Sequence, residues 1–115
     1  DELPHGVDTV VFDTAVNQGL HTAGILLQRA IRASGFKLAV DGEIGPGTVS
    51  AAVAACVSSP WGIIERMLEG RRDLYAEIVM HHPVDGKFLH GWLNRVNDLE
   101  VFVDGLAPVE KAVAV

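Results

Sequence analysis

A single cysteine, Cys56, leaves the chain unable to form an internal disulfide or a cysteine-rich zinc site. Positive charge is also scarce. Nine basic residues face fifteen acidic ones, for a formal charge of −6, which excludes partners held by their phosphates, nucleic acid above all. No apolar run approaches the roughly 18 residues that span a bilayer, so membrane insertion is not expected. The opening Asp1-Glu2-Leu3-Pro4-His5-Gly6 lacks the basic and apolar regions of a signal peptide. Export is then arranged elsewhere, or the chain is a piece of something longer. The Gly-rich stretch near residue 45 has neither the lysine nor the preceding strand of a phosphate cradle.

What remains is well suited to a packed core. Of 115 residues, 49% are apolar and 21% charged, the make-up of one domain or part of one rather than of a disordered chain. A chain this short buries roughly 60–68% of its unfolded surface, so its stability margin is expected to be modest. No internal repeat or low-complexity segment interrupts it.

The hydrophobic period is helical. Apolar residues at 7, 10, 11, 12, 15 and 16 predict a first helix, opened by Pro4 and Gly6 and closed by Gly19 in a left-handed conformation. A second is predicted from about Thr22 to Ser34, with Ala23, Leu26, Leu27, Ala30 and Ile31 inward and Gly35 as its stop. Residues 35–47 hold too much glycine for a helix and read as a shaped loop, with Ile44 tucked inward. Pro46 suits the first turn of a short alanine–valine helix reaching about Val57. Ser59-Pro60 signals a fourth helix as far as His82, with Trp61, Ile64, Leu68, Tyr75, Ile78 and Val79 inside. Pro83-Val84-Asp85-Gly86 breaks the chain, and a fifth helix follows from about Lys87 to Val103, with Phe88, Trp92, Val96 and Leu99 inward. Asp104-Gly105 and Pro108 are expected to end it. The fold class is all-α, with about five helices, and residues 105–115 form a tail.

Several polar and aromatic side chains are candidates for binding. Asp13 and Asn17 lie one turn apart on one helix face and can hydrogen-bond hydroxyl and acetamido groups, or Asn17 simply caps the helix. Gln28 can extend that surface. Asp41 can accept backbone N–H groups within its own loop, an architectural role that leaves room for contact with a ligand. Trp61, Tyr75, Phe88 and Trp92 occur at core spacing, although sugars stack on such rings. Arg95, three residues after Trp92, can stack on it or pair with a carboxylate. His81 and His82 point about 100° apart on a helix and do not suggest a metal site. No cofactor is implied.

One succession of residues resembles a known family. Val11-Phe12-Asp13, Ala15-Val16-Asn17 and Gly19 are followed by Leu27-Gln28-Arg29-Ala30. Then come Asp41-Gly42, Ile44-Gly45-Pro46, Thr48, Arg72, Tyr75, Phe88, Gly91-Trp92 and Arg95. Together they resemble the C-terminal half of glycoside hydrolase family 108, the secretion-activator or phage endolysin-type muramidases, whose C-terminal half is described as a predicted peptidoglycan-binding domain. Residues 1–104 would form that domain. A weaker likeness links Leu27-Gln28, Gly35 and the Asp41–Thr48 loop to small three-helix peptidoglycan-binding modules.

The resemblance implies an orthogonal helical bundle like the C-terminal part of a lysozyme-like fold, with peptidoglycan glycan strands as partner at the bacterial cell wall or periplasm. The residues expected to contact this ligand are Asp13, Asn17, Gln28, Asp41, Trp92 and Arg95, read from their own chemistry and, at Asn17, also from the family pattern. The family's catalytic acid is the glutamate of a Glu-Gly-Gly motif, which this chain lacks, since Glu69-Gly70 is followed by Arg71. The expectation is a wall-binding half that begins after the catalytic segment, has no catalytic residue of its own, and has the N-terminal catalytic half as a further partner. The alternatives are a fragment active through Glu43 or Asp13, and a half that only supports the enzyme. Glycosidic cleavage needs a protonated carboxyl in an apolar pocket, and of the acids here only Glu43 is a glutamate in a shaped loop.

Overall fold

The computed structural model describes residues 3–58 and 60–106. It contains α1 (Val7–Gln18), α2 (Leu20–Ala33), α3 (Pro46–Ser58), α4 (Pro60–His81) and α5 (Gly86–Leu106), with one 3-10 turn at Pro83–Asp85. There is no strand among the described residues. The fold is all-α.

Glycine sets the first boundaries. Gly6, at φ 92°, precedes α1, and the Asp8 carboxylate accepts from the backbone N–H groups of Gly6 and Thr9 at 3.0 and 2.7 Å. Gly19 ends α1 with positive φ, as expected, but its ψ of 153° is extended rather than left-handed helical. A single residue therefore turns the chain from α1 straight into α2, two residues earlier than the periodicity suggests. An L side chain rarely adopts that conformation.

α4 is the spine. It packs against each of the other four helices, and α1 and α2 form the tightest neighbouring pair. Val7, Val10, Leu27, Ile31, Ile63, Met67, Leu68, Val96 and Val103 are all fully buried around it. Cys56 is a buried free thiol within α3.

Three expectations are corrected. The buried face of α1 is Val7, Val10, Val11 and Thr14, the set a period of 3.6 brings together. Phe12 and Val16 lie on the far side, 71% and 64% exposed. Thr14 is tolerated inside because its hydroxyl donates to the Val10 carbonyl at 2.7 Å. Phe88 likewise stands 48% exposed rather than inward. Finally, α5 continues through Asp104-Gly105 to Leu106, past the expected end at Val103, because glycine costs only about 1 kcal/mol in a helix and does not forbid one. The expected Ser59 cap and the tail at 107–115, with Pro108, lie outside the described residues.

Candidate functional site

An open groove of about 510 Å³ runs between α1 and α5. Phe12 of α1 and Phe102 of α5 line it with Asp13, Asn94, Arg95 and Asp98. The two rings are 71% and 58% exposed, so each shows solvent an apolar face it could have buried. A size in the 300–1,000 Å³ range, with a few polar groups between apolar walls, is typical of ligand clefts.

Asp13 is fixed from both sides. One carboxylate oxygen accepts from Arg71 at 2.6 Å and the other from Arg95 at 3.0 Å. Arg95 is half-exposed, whereas the Arg71 side chain is completely buried. Arg71 also donates to the Tyr75 hydroxyl at 3.0 Å, and its guanidinium lies 5.8 Å from the Tyr75 ring centre. Its Nε has no hydrogen-bond partner among the described residues.

Through Tyr75 this network reaches a stack of rings. Trp92 lies 5.1 Å from Tyr75 and 5.9 Å from Phe88, with interplanar angles of 24° and 28°. Tyr75 is buried, Trp92 half-buried and Phe88 exposed, so the stack runs from core to surface. Trp61 is buried in the core.

Asn17 is exposed one turn beyond Asp13. Its amide donates back to the Asp13 carbonyl at 2.8 Å, within α1, while Gly19 caps the helix. The groove thus gathers Asp13 and Arg95, with Asn17 beyond them and Trp92 joined through Arg71 and Tyr75.

Gln28 and Asp41 meet elsewhere. Gln28 is 1% exposed and its carboxamide holds the Asp41–Thr48 loop against α2. Its oxygen accepts from the N–H groups of Asp41 and Gly42 at 3.0 and 2.9 Å. Its nitrogen donates to the Asp41 carboxylate, the Glu43 carbonyl and the Thr48 hydroxyl at 3.0–3.1 Å. Asp41 also accepts from the Glu43 N–H at 2.9 Å, the expected Asx turn. That backbone bond, then the Gln28 amide, holds the Asp41 carboxyl below its ordinary 3.8.

Bare backbone completes the seat. A Cβ on Gly24 of α2 would overlap the Gly42 carbonyl, and one on Gly42, at φ 82°, would overlap the His21 ring. Gln28 is therefore buried structure rather than open surface. Asp41 is exposed at its rim, and Ile44 packs partly against the core.

Glu43 stands exposed on the loop, without the apolar enclosure a glycosidic acid requires. Both oxygens of Asp13 are engaged by guanidinium groups. His81 and His82 are exposed, and no group of three metal-ligating side chains occurs among the described residues. No single helix there is long and apolar enough to cross a membrane.

Sequence reading gave no binding role to Phe12, Phe102 and Asn94, which line the groove, or to Arg71, which is buried behind Asp13. Arg71 did leave a signal: it falls on the inner stripe Ile64–Leu68–Tyr75–Ile78, where a charge demands a partner.

Comparison with known families gives a match to one, described as a predicted peptidoglycan domain, over residues 22–97. The matched span runs from the start of α2 into α5 and leaves α1, with Asp13, outside. No curated protein and no solved structure matches the chain.

Proposed function

Because the chain belongs to the family of predicted peptidoglycan domains, we propose that it is the wall-binding part of a lysozyme-like N-acetylmuramidase and holds glycan strands in the α1–α5 groove. Family membership supports peptidoglycan as the partner and association with the cell wall. The finer reading, a muramidase of glycoside hydrolase family 108, rests on the residue pattern set out above.

The observation that carries it is the pair Phe12 and Phe102 standing exposed in the same groove as the Asp13–Arg95 ion pair. Pyranose rings present apolar C–H faces to such rings, while their hydroxyl and acetamido groups meet charged donors and acceptors. Arg95 uses one N–H on Asp13 and keeps the rest of its fork for a ligand. Asn17 extends this polar edge. Trp92 and Phe88 offer a second apolar platform, and Arg71 keeps Asp13 in place. Gln28 and Asp41 act differently: they hold the loop rigid, and its exposed rim is available to glycan.

The 115 residues contain no Glu-Gly-Gly, and neither Glu43 nor Asp13 has the surroundings of a proton donor. Binding without cleavage is therefore the proposed behaviour, with a separate catalytic half supplying the acid.

Co-sedimentation with purified sacculi tests this reading. The chain should pellet with the wall, release no muropeptides, and pellet less when Phe12 is replaced by alanine. Protein left wholly in the supernatant, yet restoring lysis when mixed with a catalytic half, would mean a supporting role without glycan contact. Lysis by the chain alone would reveal an acid of its own.

A further inference from the structure

A second groove, about 710 Å³, lies between α2 and α4. Its floor is apolar and made of small or branched groups, Ile25, Leu26, Ala30 and Leu74, with Gly70 letting Leu26 approach closely. Its two rims carry opposite charge. On the α4 side stand Glu65, Glu69, Asp73 and Glu77, spaced by four and therefore aligned in one row along the helix. Arg29 stands exposed on the α2 side.

The charges are largely unspent. Arg66, at the groove end, donates to the Ser34 hydroxyl at 3.0 Å, and Glu69 makes only a long 3.4 Å contact with Arg72. Glu65, Asp73, Glu77 and Arg29 enter no ion pair among the described residues. Like charges four apart repel one another along a helix, so a cation lying on this row relieves an unfavourable arrangement.

An occupant matched to this groove has a thin aliphatic backbone for the floor, an ammonium group for the α4 rim and a carboxylate for Arg29. Peptidoglycan carries such a molecule at every muramic acid: a short peptide of alanine, glutamate and a diamino acid, with a free amine wherever it is not cross-linked. We infer that the α2–α4 groove binds the stem peptide of peptidoglycan and reads its free side-chain amine. This rests on peptidoglycan being the partner, but not on where the glycan lies.

The probe is a synthetic tetrapeptide, L-Ala–γ-D-Glu–L-Lys–D-Ala, titrated calorimetrically into the whole chain with its lysine amine either free or acetylated. The free amine should bind about two- to fivefold more tightly, the range expected of exposed ion pairs. A D73N/E77Q double variant should lose that advantage and bind both peptides alike. R29Q should weaken both peptides while keeping their ratio. The replaced side chains are solvent-facing and enter no ion pair among the described residues, so melting temperatures should not fall, and D73N/E77Q should gain slightly as repulsion along the row is relieved. Equal affinity for the two peptides in the unaltered chain overturns the inference, as does a preference that survives in D73N/E77Q. A chain that pellets with sacculi but ignores both peptides overturns it while leaving wall binding intact. A chain that neither pellets nor binds peptide overturns both.

Discussion

Arg71 donates to Asp13 across the α1–α4 contact at 2.6 Å, the arginine wholly buried and the aspartate reaching solvent. The pair is asymmetric. Removing the carboxylate strands a buried cation, whereas removing Arg95 from its outer side leaves Asp13 still paired within. Asp13→Ala should therefore cost about 3–5 kcal/mol and Arg95→Ala about 0–1 kcal/mol, although both delete a bond to the same group. Urea unfolding of the two variants checks the contrast, and equal losses would contradict it.

Gln28 makes five hydrogen bonds from a side chain that water does not reach. Gln28→Leu keeps the volume but leaves the N–H groups of Asp41 and Gly42 without their acceptor. A loss of about 2–4 kcal/mol is expected, from two or more buried groups left unsatisfied. Thermal unfolding gives the size. Amide hydrogen exchange should place the first loss of protection at residues 41–48.

Acid should loosen the same loop. The Asp41 carboxyl is held below 3.8 by the Glu43 N–H and then by Gln28. A carboxyl with a lower value folded than unfolded contributes fully above its unfolded value, and that contribution disappears as pH falls through the folded one. Asp41 should add constant stability from neutrality to about pH 4, and less below it. Asp41→Asn keeps an acceptor but cannot titrate, so its denaturant midpoint should be lower at neutral pH and converge on the parent's in acid. Curves that stay parallel throughout would argue against this.

The rings divide into two kinds. Trp92 is stacked between Tyr75 and Phe88 and packs against the core, so Trp92→Ala should cost about 3 kcal/mol, near the low end for an aromatic truncation. Phe12 is mostly in solvent, so Phe12→Ala should shift stability by no more than about 0.5 kcal/mol. It should nevertheless weaken sacculus binding roughly fivefold, the worth of about 1 kcal/mol in a stacking contact. Pull-down titration beside a melting curve separates the two effects.

Helix positions were legible because glycine and proline punctuate the chain where the backbone needs them, at Gly6, Gly19, Gly35 and Pro46. Faces were less so. Counting apolar residues in α1 gave Phe12 and Val16 a core place, but a helix buries what fits its angular sector, and Thr14 fits by bonding to its own backbone. Asp13, Asn17 and Arg95 came together from opposite ends of the sequence. Gln28 looked like surface because a lone glutamine carries no mark of the loop it will hold. Arg71 showed its burial by falling on the inner stripe beside Tyr75, but not its role, since the carboxylate it pairs with, Asp13, lies 58 residues away.

Where α2 meets the loop, Gly24 faces Gly42 with no side chain on either side. A methyl group added to Gly24 would meet the Gly42 carbonyl, which no substitution can shrink, so divergence at that position must move the loop off the helix and carry the rim around Asp41 with it. The absent side chain of Gly24, 18 residues before Gly42 in the chain, thus sets how closely the loop can lie on its seat.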